Sequence, residues 1–500
     1  MSTTATQFVV PEELKQAQIL IGGRWDRAAS GDTMPVSSPI TGEVLAEVPR
    51  CDRRDVDGAV AVAKAAWPAF KAIPVYERAN LVQRMAELIR ERAETIACII
   101  TLEQGKPYRT EALPEVLETA LNFQLAAEGI VRLETPVVPM RDANKRVMTF
   151  REPYGVMATI TPWNFPTVIP SEYIGPGLAA GNTMVAKPAS TTPLSLLLVA
   201  RCIQEALDEF ACPQGVFNIL TGPGGVIGDY LVGHPDVAIV GFTGETVTGE
   251  AICAKAGIKM TLMELGGNGP QIVCADADLR AAAKAAALGC FFNAGQVCCA
   301  TERILVESQV KSQFLELLLE EAQAWQLGDP REEATTVGPL NNEPTAAKTE
   351  EHIADALGKG ATVVLGGARR SGQGTDLYFP PTVVDGVTRN MLLNTDETFG
   401  PVAPLIEFST DDEAIEIANE SGYGLQMGVF TSSLKKAFSY IDRLRTGNVV
   451  VNDTTDYWEA SEPFGGGGGT KSGHGRLGGR FTLDDVTHLK TVAIDVEKCL

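Results

Sequence analysis

The chain is poor in histidine, has no CxxC pair, no long apolar run and no excess of positive charge. Four histidines in 500 residues, without ligand spacing among them, give no basis for a metal site. Lys and Arg number 42 against 63 Asp and Glu, a formal charge of −21 that argues against any general affinity for nucleic acid or an anionic membrane. No uncharged apolar stretch is long enough for a membrane span. The opening Met1-Ser2-Thr3-Thr4-Ala5-Thr6-Gln7 has neither a basic nor an apolar leader segment, so a secretory signal is not expected. Ten cysteines without a framework read as reduced thiols in a cytoplasmic protein.

What the chain does have is length and alternation. Five hundred residues exceed one simple core, so two or three domains are expected. Residues 53–132 place apolar positions at helical spacing, with a break at Gly105-Lys106-Pro107. The chain then reads as extended from 147 to 161. Short apolar runs at 156–161, 183–187, 216–220, 238–243 and 259–264 alternate with helical stretches such as 194–209 and 226–232. That alternation indicates parallel βαβ units, with ligands at the carboxyl ends of the strands. A second α/β stretch covers 270–455, with helices near 279–291 and 309–326 and strands near 303–306 and 448–451. A late strand is expected at 489–495.

Three side chains suit acyl chemistry. Cys298 follows Gly295-Gln296, where an alanine-rich helix gives way to a turn that can expose a thiol and leave its own amide free as an oxyanion donor. A free thiol titrates near ~8.5, so this one needs help from its surroundings, and a buried core cysteine is the commoner fate. Glu264 ends an apolar strand ahead of Leu265-Gly266-Gly267 and suits a base acting on a thiol or on water; an ordinary loop carboxylate is the alternative. Asn164, in Pro162-Trp163-Asn164-Phe165-Pro166, is either a fixed amide donor or a plain turn residue. Gly222-Pro223-Gly224-Gly225-Val226-Ile227-Gly228 follows a strand and leads into a helix, where backbone amides can receive a pyrophosphate, although a tight turn explains it equally well. Lys187 ends another strand and can meet a ribose or phosphate, or simply point to solvent. The glycine-rich run ending in Thr470-Lys471-Ser472 is not a P-loop: Thr470 stands where glycine is required, and no strand precedes it.

Together these motifs resemble the NAD(P)-dependent aldehyde dehydrogenase superfamily over nearly the whole chain. The resemblance rests on Gly295-Gln296-Val297-Cys298, Glu264-Leu265-Gly266-Gly267, Pro162 to Pro166, Glu397-Thr398-Phe399-Gly400-Pro401 and the stretch 463–476. It implies an α/β fold of three parts: a Rossmann-like cofactor domain (1–136 and 154–264), an α/β catalytic domain (265–478) and a small β oligomerisation flap (137–153 and 479–500). It implies Cys298 as nucleophile, Asn164 with the Cys298 amide as oxyanion holder, and Glu264 as the base that releases the acid. The implied cofactor is NAD or NADP, contacted by Ile160, Thr161, Pro162, Trp163, Lys187, Ser190, Gly224, Gly228, Phe242, Gly244, Glu245, Leu265, Glu397 and Phe399. Ser190 replaces the acid that in the family disfavours a 2′-phosphate, which leaves both cofactors open. Glu245 replaces a serine, and it is expected to point away from the phosphates or to weaken cofactor affinity.

The resemblance also implies a substrate tunnel of Phe165, Glu172, Phe292, Cys299, Trp458 and Phe464. Relatives acting on succinate semialdehyde commonly carry an arginine where Glu172 lies, and an acid there would oppose a carboxylate. An apolar, aromatic or cationic aldehyde is therefore expected, with a semialdehyde as the alternative. Acyl transfer to CoA is disfavoured, since such relatives lack the counterpart of Glu264. A catalytically silent cofactor-binding protein is the reading from another class. The partner expected besides the small-molecule aldehyde is a second copy of the chain, in a homodimer or homotetramer.

Overall fold

The computed structural model describes residues 8–498. The readings made on residues 1–7 and on Cys499 lie outside the described residues. The core of the first lobe is a sheet whose five central strands run parallel, in the order Met260–Glu264, Val237–Thr243, Val156–Ile160, Thr183–Lys187 and Phe217–Ile219. These strands are short, largely buried and flanked by helices on both faces, as parallel sheets require. Antiparallel strands finish the edges: Gly473–His474 pairs with Met260–Glu264, while Ile19–Ile21 and Arg24–Asp26 close the far side. The segment 473–474 thus returns from late in the chain to the first sheet.

A second sheet runs Thr362–Leu365, Thr382–Asp385, Val402–Phe408, Arg303–Glu307, Pro270–Val273, Gln426–Phe430 and Asn448–Val451, parallel except at its first pair. A third, antiparallel sheet joins Thr487–Asp495 to Lys145–Pro153 and Val137–Val138. Register pairs Ile160 with Lys187, Phe242 with Ile160 and Thr243 with Glu264, so these residues share one carboxyl edge. That edge faces the turn carrying Cys298.

The helical region before the first sheet has more breaks than its periodicity suggests. Arg53–Lys71 starts on an Asp52/Asp55 capping box, Val75–Glu91 starts behind Pro74, and Arg92 separates it from Ala93–Gln104. Likewise the stretch read as one helix at 226–232 is a wide turn, Gly224–Gly228, followed by the short helix Asp229–Gly233. Apolar spacing alone does not register such changes of pitch.

Candidate active site

Helix Leu279–Phe291 ends in a sharp reversal in which Asn293, Ala294 and Gly295 all have positive φ, at 49°, 55° and 75°. Two of these are not glycine, so the turn is held in a conformation that costs energy and that its surroundings must enforce. They do so through hydrogen bonds: Asn293 Nδ2 donates to the carbonyls of Asn164 (3.1 Å) and Gln296 (3.2 Å), and Gln104 Nε2 donates to Asn293 Oδ1 (3.0 Å). A side chain at Gly295 would run into the Gly400 carbonyl, and one at Gly267 into the carbonyl of Cys298 itself. These two glycines let the strand tip, the nucleophile turn and the 397–401 loop meet.

Cys298 emerges partly exposed, between two cavities that both include Glu264 and Ile169 in their walls. One, of about 270 Å³, also takes in Pro162, Trp163, Asn164, Thr243, Gly244, Glu245, Leu265, Glu397 and Phe399. The other, of about 290 Å³, includes all six residues read as a substrate tunnel: Phe165, Glu172, Phe292, Cys299, Trp458 and Phe464. Phe165 and Phe292 stack there with centroids 6.3 Å apart. Ile160, Thr161, Lys187, Ser190, Gly224, Gly228 and Phe242 are not in either wall. They belong to the same sheet edge farther out, where Gly228 lies against the Lys187 side chain and Ser190 Oγ donates to the Gly222 carbonyl.

The electrostatics of the pair are set by burial. Contact with Cys299, desolvation and the neighbouring Glu264 together push the Cys298 thiol well above its ordinary value. Its contact with Cys298 pulls Cys299 down, but burial together with the nearby Asp456 and Glu264 leaves that thiol raised too. Desolvation lifts Glu264 to about 7, against hydrogen bonds from Cys298 and Thr243 that favour its charged form. A carboxyl poised near neutrality beside a protonated thiol can take that proton, and later one from water. Asn164 Nδ2 donates to the Gln296 carbonyl at 3.0 Å, which fixes its amide and leaves one N–H for another acceptor.

Several contributors were not foreseen from the sequence. Glu302 accepts from the amides of Thr398 and Phe399, both at 2.8 Å, and so positions the 397–399 loop, in which Phe399 has φ 61°. Trp163 and Phe399, both expected beside the cofactor, meet edge to face with ring centroids 5.6 Å apart in the lining of the smaller cavity. Glu115 pairs with buried Lys106 at 2.8 Å and accepts from the amides of Thr167 and Val168, anchoring the start of the helix Val168–Ala180 that carries Glu172. Tyr173 on that helix shares a 2.7 Å hydrogen bond with Thr243, which in turn supports Glu264. Asp456, Glu111 and Glu118 line the larger cavity. Only local patterns such as the Gly-Gln-x-Cys turn had a sequence signal; a carboxylate brought in from a remote helix has none.

The residues around the smaller cavity suit a dinucleotide. Glu397, lifted to about 8 by burial, accepts from the Gly267 amide at 2.8 Å and keeps an oxygen for a ribose hydroxyl. Lys187, pulled down to about 8 by burial, spends one N–H on the Pro188 carbonyl and retains two. Glu245 caps the helix Thr246–Ala256 through its backbone alone, and its exposed side chain borders the smaller cavity instead of leaving it. Burial, with the neighbouring Glu264 and Glu118, also drives Glu172 well above its ordinary value.

A family model described as the aldehyde dehydrogenase family matches residues 25–492. The chain is 40% identical over 487 residues to a 3-sulfolactaldehyde dehydrogenase of Pseudomonas putida, covering 97% of this chain and 98% of that one. It is 38% identical to an NADP(+) succinate-semialdehyde dehydrogenase of Escherichia coli, covering 96% and 98%. Among solved structures, an aldehyde dehydrogenase from Bacillus cereus in complex with NAD+ superposes with a TM-score of 0.92 at 35% identity, covering 96% and 97%.

Proposed function

The chain belongs to the aldehyde dehydrogenase family, and from that premise we propose that it oxidises an aldehyde to its carboxylic acid through a covalent intermediate on Cys298. The observation that supports this most is that Cys298 and Glu264 belong to both cavities, so one thiol and one carboxyl serve a substrate side and a cofactor side at once. Glu264 takes the thiol proton. The thiolate adds to the carbonyl carbon, and the oxyanion that forms is held by the Asn164 amide and the Cys298 backbone N–H. NAD or NADP, held by Lys187, Glu397 and Phe399, supplies the two-electron oxidant when bound. The acyl group then remains on Cys298 as a thioester. Glu264, ionised again once it has passed the thiol proton to solvent, draws a proton from water, whose oxygen attacks the thioester, displaces the Cys298 thiolate and frees the acid.

The larger cavity has stacked phenylalanines, a tryptophan and no lysine or arginine in its wall, which supports an apolar, aromatic or cationic aldehyde. A semialdehyde is the second reading, favoured by the relative named for succinate semialdehyde. In the third sheet Val137, Phe150 and Leu489 stand exposed, consistent with pairing between copies of the chain. The test is formation of reduced nicotinamide, followed by its near-ultraviolet absorbance, with a panel of aliphatic, aromatic, cationic and carboxylated aldehydes and each cofactor. Turnover of carboxylated aldehydes alone would overturn the substrate reading; no turnover of any member would overturn the dehydrogenase reading.

A further inference from the structure

The substrate cavity holds more acid than aldehyde oxidation needs. Besides Glu264, its wall includes Glu111, Glu115, Glu118, Glu172 and Asp456. Of these, Glu115 forms a direct ion pair, with Lys106, whose charge also acts on Glu111. Both carboxyl oxygens of Asp456, Oε1 of Glu172 and Oε2 of Glu111 are buried and reached by no protein donor. Glu172 as a whole is only 7% exposed. Buried acceptors without donors are costly, and a site that leaves them so rejects ligands lacking the matching N–H groups. A wall of carboxyl oxygens that no protein donor reaches is complementary to a group that brings several N–H donors and a positive charge.

We propose that this wall is an ammonium-binding subsite, in which Asp456, with Glu172 and Glu111, receives the protonated amine of a short amino aldehyde whose carbonyl lies at Cys298. The subsite rests on the dehydrogenase reading above and narrows its substrate. The titratable neighbours are Glu111, Cys290 and Cys299 for Asp456; Lys106 and Glu115 for Glu111; and Glu264 and Glu118 for Glu172. Desolvation raises Asp456 and Glu172 well above ordinary carboxyl values and Glu111 to about 8, so burial opposes charge on all three in the free pocket. An entering cation favours the charged form. One carboxyl O–H therefore gives its proton to solvent while the ammonium keeps its three N–H groups. Affinity for the cation should accordingly rise with pH until the carboxyls are ionised.

The experiment compares kcat/KM for 3-aminopropanal, butanal and malonate semialdehyde, which present ammonium, methyl and carboxylate ends on chains of similar size. The expected result is a preference for 3-aminopropanal over butanal of at least about tenfold, with malonate semialdehyde poorest, and a loss of about tenfold in that ratio in Asp456→Asn. In the unmodified enzyme, KM for 3-aminopropanal should fall between about pH 6 and about pH 8, while KM for butanal stays level. Equal or better use of butanal, or an Asp456→Asn variant that loses both substrates in equal proportion, would overturn the subsite and leave the dehydrogenase standing. Oxidation of none of the three with either cofactor would remove the dehydrogenase reading and the subsite with it. Should Asp456→Asn not fold, Glu172→Gln and the pH dependence of the unmodified enzyme decide the matter by the same criteria.

Discussion

The two cavities that meet at Cys298 are built by different means. On the cofactor side one whole wall comes from strand ends: Trp163 and Asn164 after Val156–Ile160, Gly244 and Glu245 after Val237–Thr243, Leu265 and Gly266 after Met260–Glu264, faced by Thr345 and Lys348 of the helix Glu343–Gly358 and by the 397–399 loop. On the substrate side they come from elements far apart in sequence, with Glu111, Glu115 and Glu118 from the early helices and Asp456 and Trp458 from a late loop. Backbone geometry governs the first, and carboxyl burial the second. On the proposed reading, chemistry common to the family is held by turns, and substrate choice by side chains that tertiary packing brings in.

If that division holds, changes at the junction should abolish turnover with every substrate. Cys298→Ala is expected to lower oxidation by more than about 10⁴-fold while cofactor affinity survives, measured as turnover against a fluorescence titration of cofactor. Glu264→Gln should cost about 10² to 10⁴-fold in steady state and should slow release of the first equivalent of reduced cofactor as well, since the same carboxyl takes the thiol proton before acylation. The unmodified enzyme should lose kcat as pH falls through about 7. Glu264 is raised to that value, it serves as base only when ionised, and protonation below it removes the base.

Changes on one side alone should alter one property alone. Glu172→Arg is expected to improve kcat/KM for a carboxylated aldehyde relative to butanal by roughly tenfold, by replacing an acceptor with a cation, and to leave the cofactor KM unchanged. Equal effects on all aldehydes would break the comparison. Glu245→Ser should have the smallest effect, a decrease of about two- to fivefold in cofactor KM through loss of a negative charge beside the smaller cavity. Unchanged values for both cofactors would mean that repulsion is not at work there.

The same division explains what could be read from the chain before its structure. Alternating apolar runs marked the strands Thr183–Lys187 and Asn448–Val451 and the helices Leu194–Glu209 and Leu279–Phe291, because local periodicity decides such elements. Cys298, Glu264 and Asn164 were legible because each sits in a short motif whose glycines and prolines carry geometric meaning. Glu302, which holds Thr398 and Phe399, and the Lys106–Glu115 pair had no such marker. Their roles depend on backbone amides more than fifty residues away, as when Glu115 receives the Thr167 amide. Asp456 lay two residues from a tryptophan already singled out, and still nothing in its own segment indicated that both its oxygens would be buried facing a cavity.

The measurement that decides most directly is intact and peptide mass spectrometry of the unmodified enzyme, acid-quenched within its first turnover of butanal and NAD+. The account predicts one butanoyl group, carried as a thioester on Cys298 and sensitive to hydroxylamine. Absence of the acyl group while reduced cofactor forms, or its location on Cys299, would contradict it.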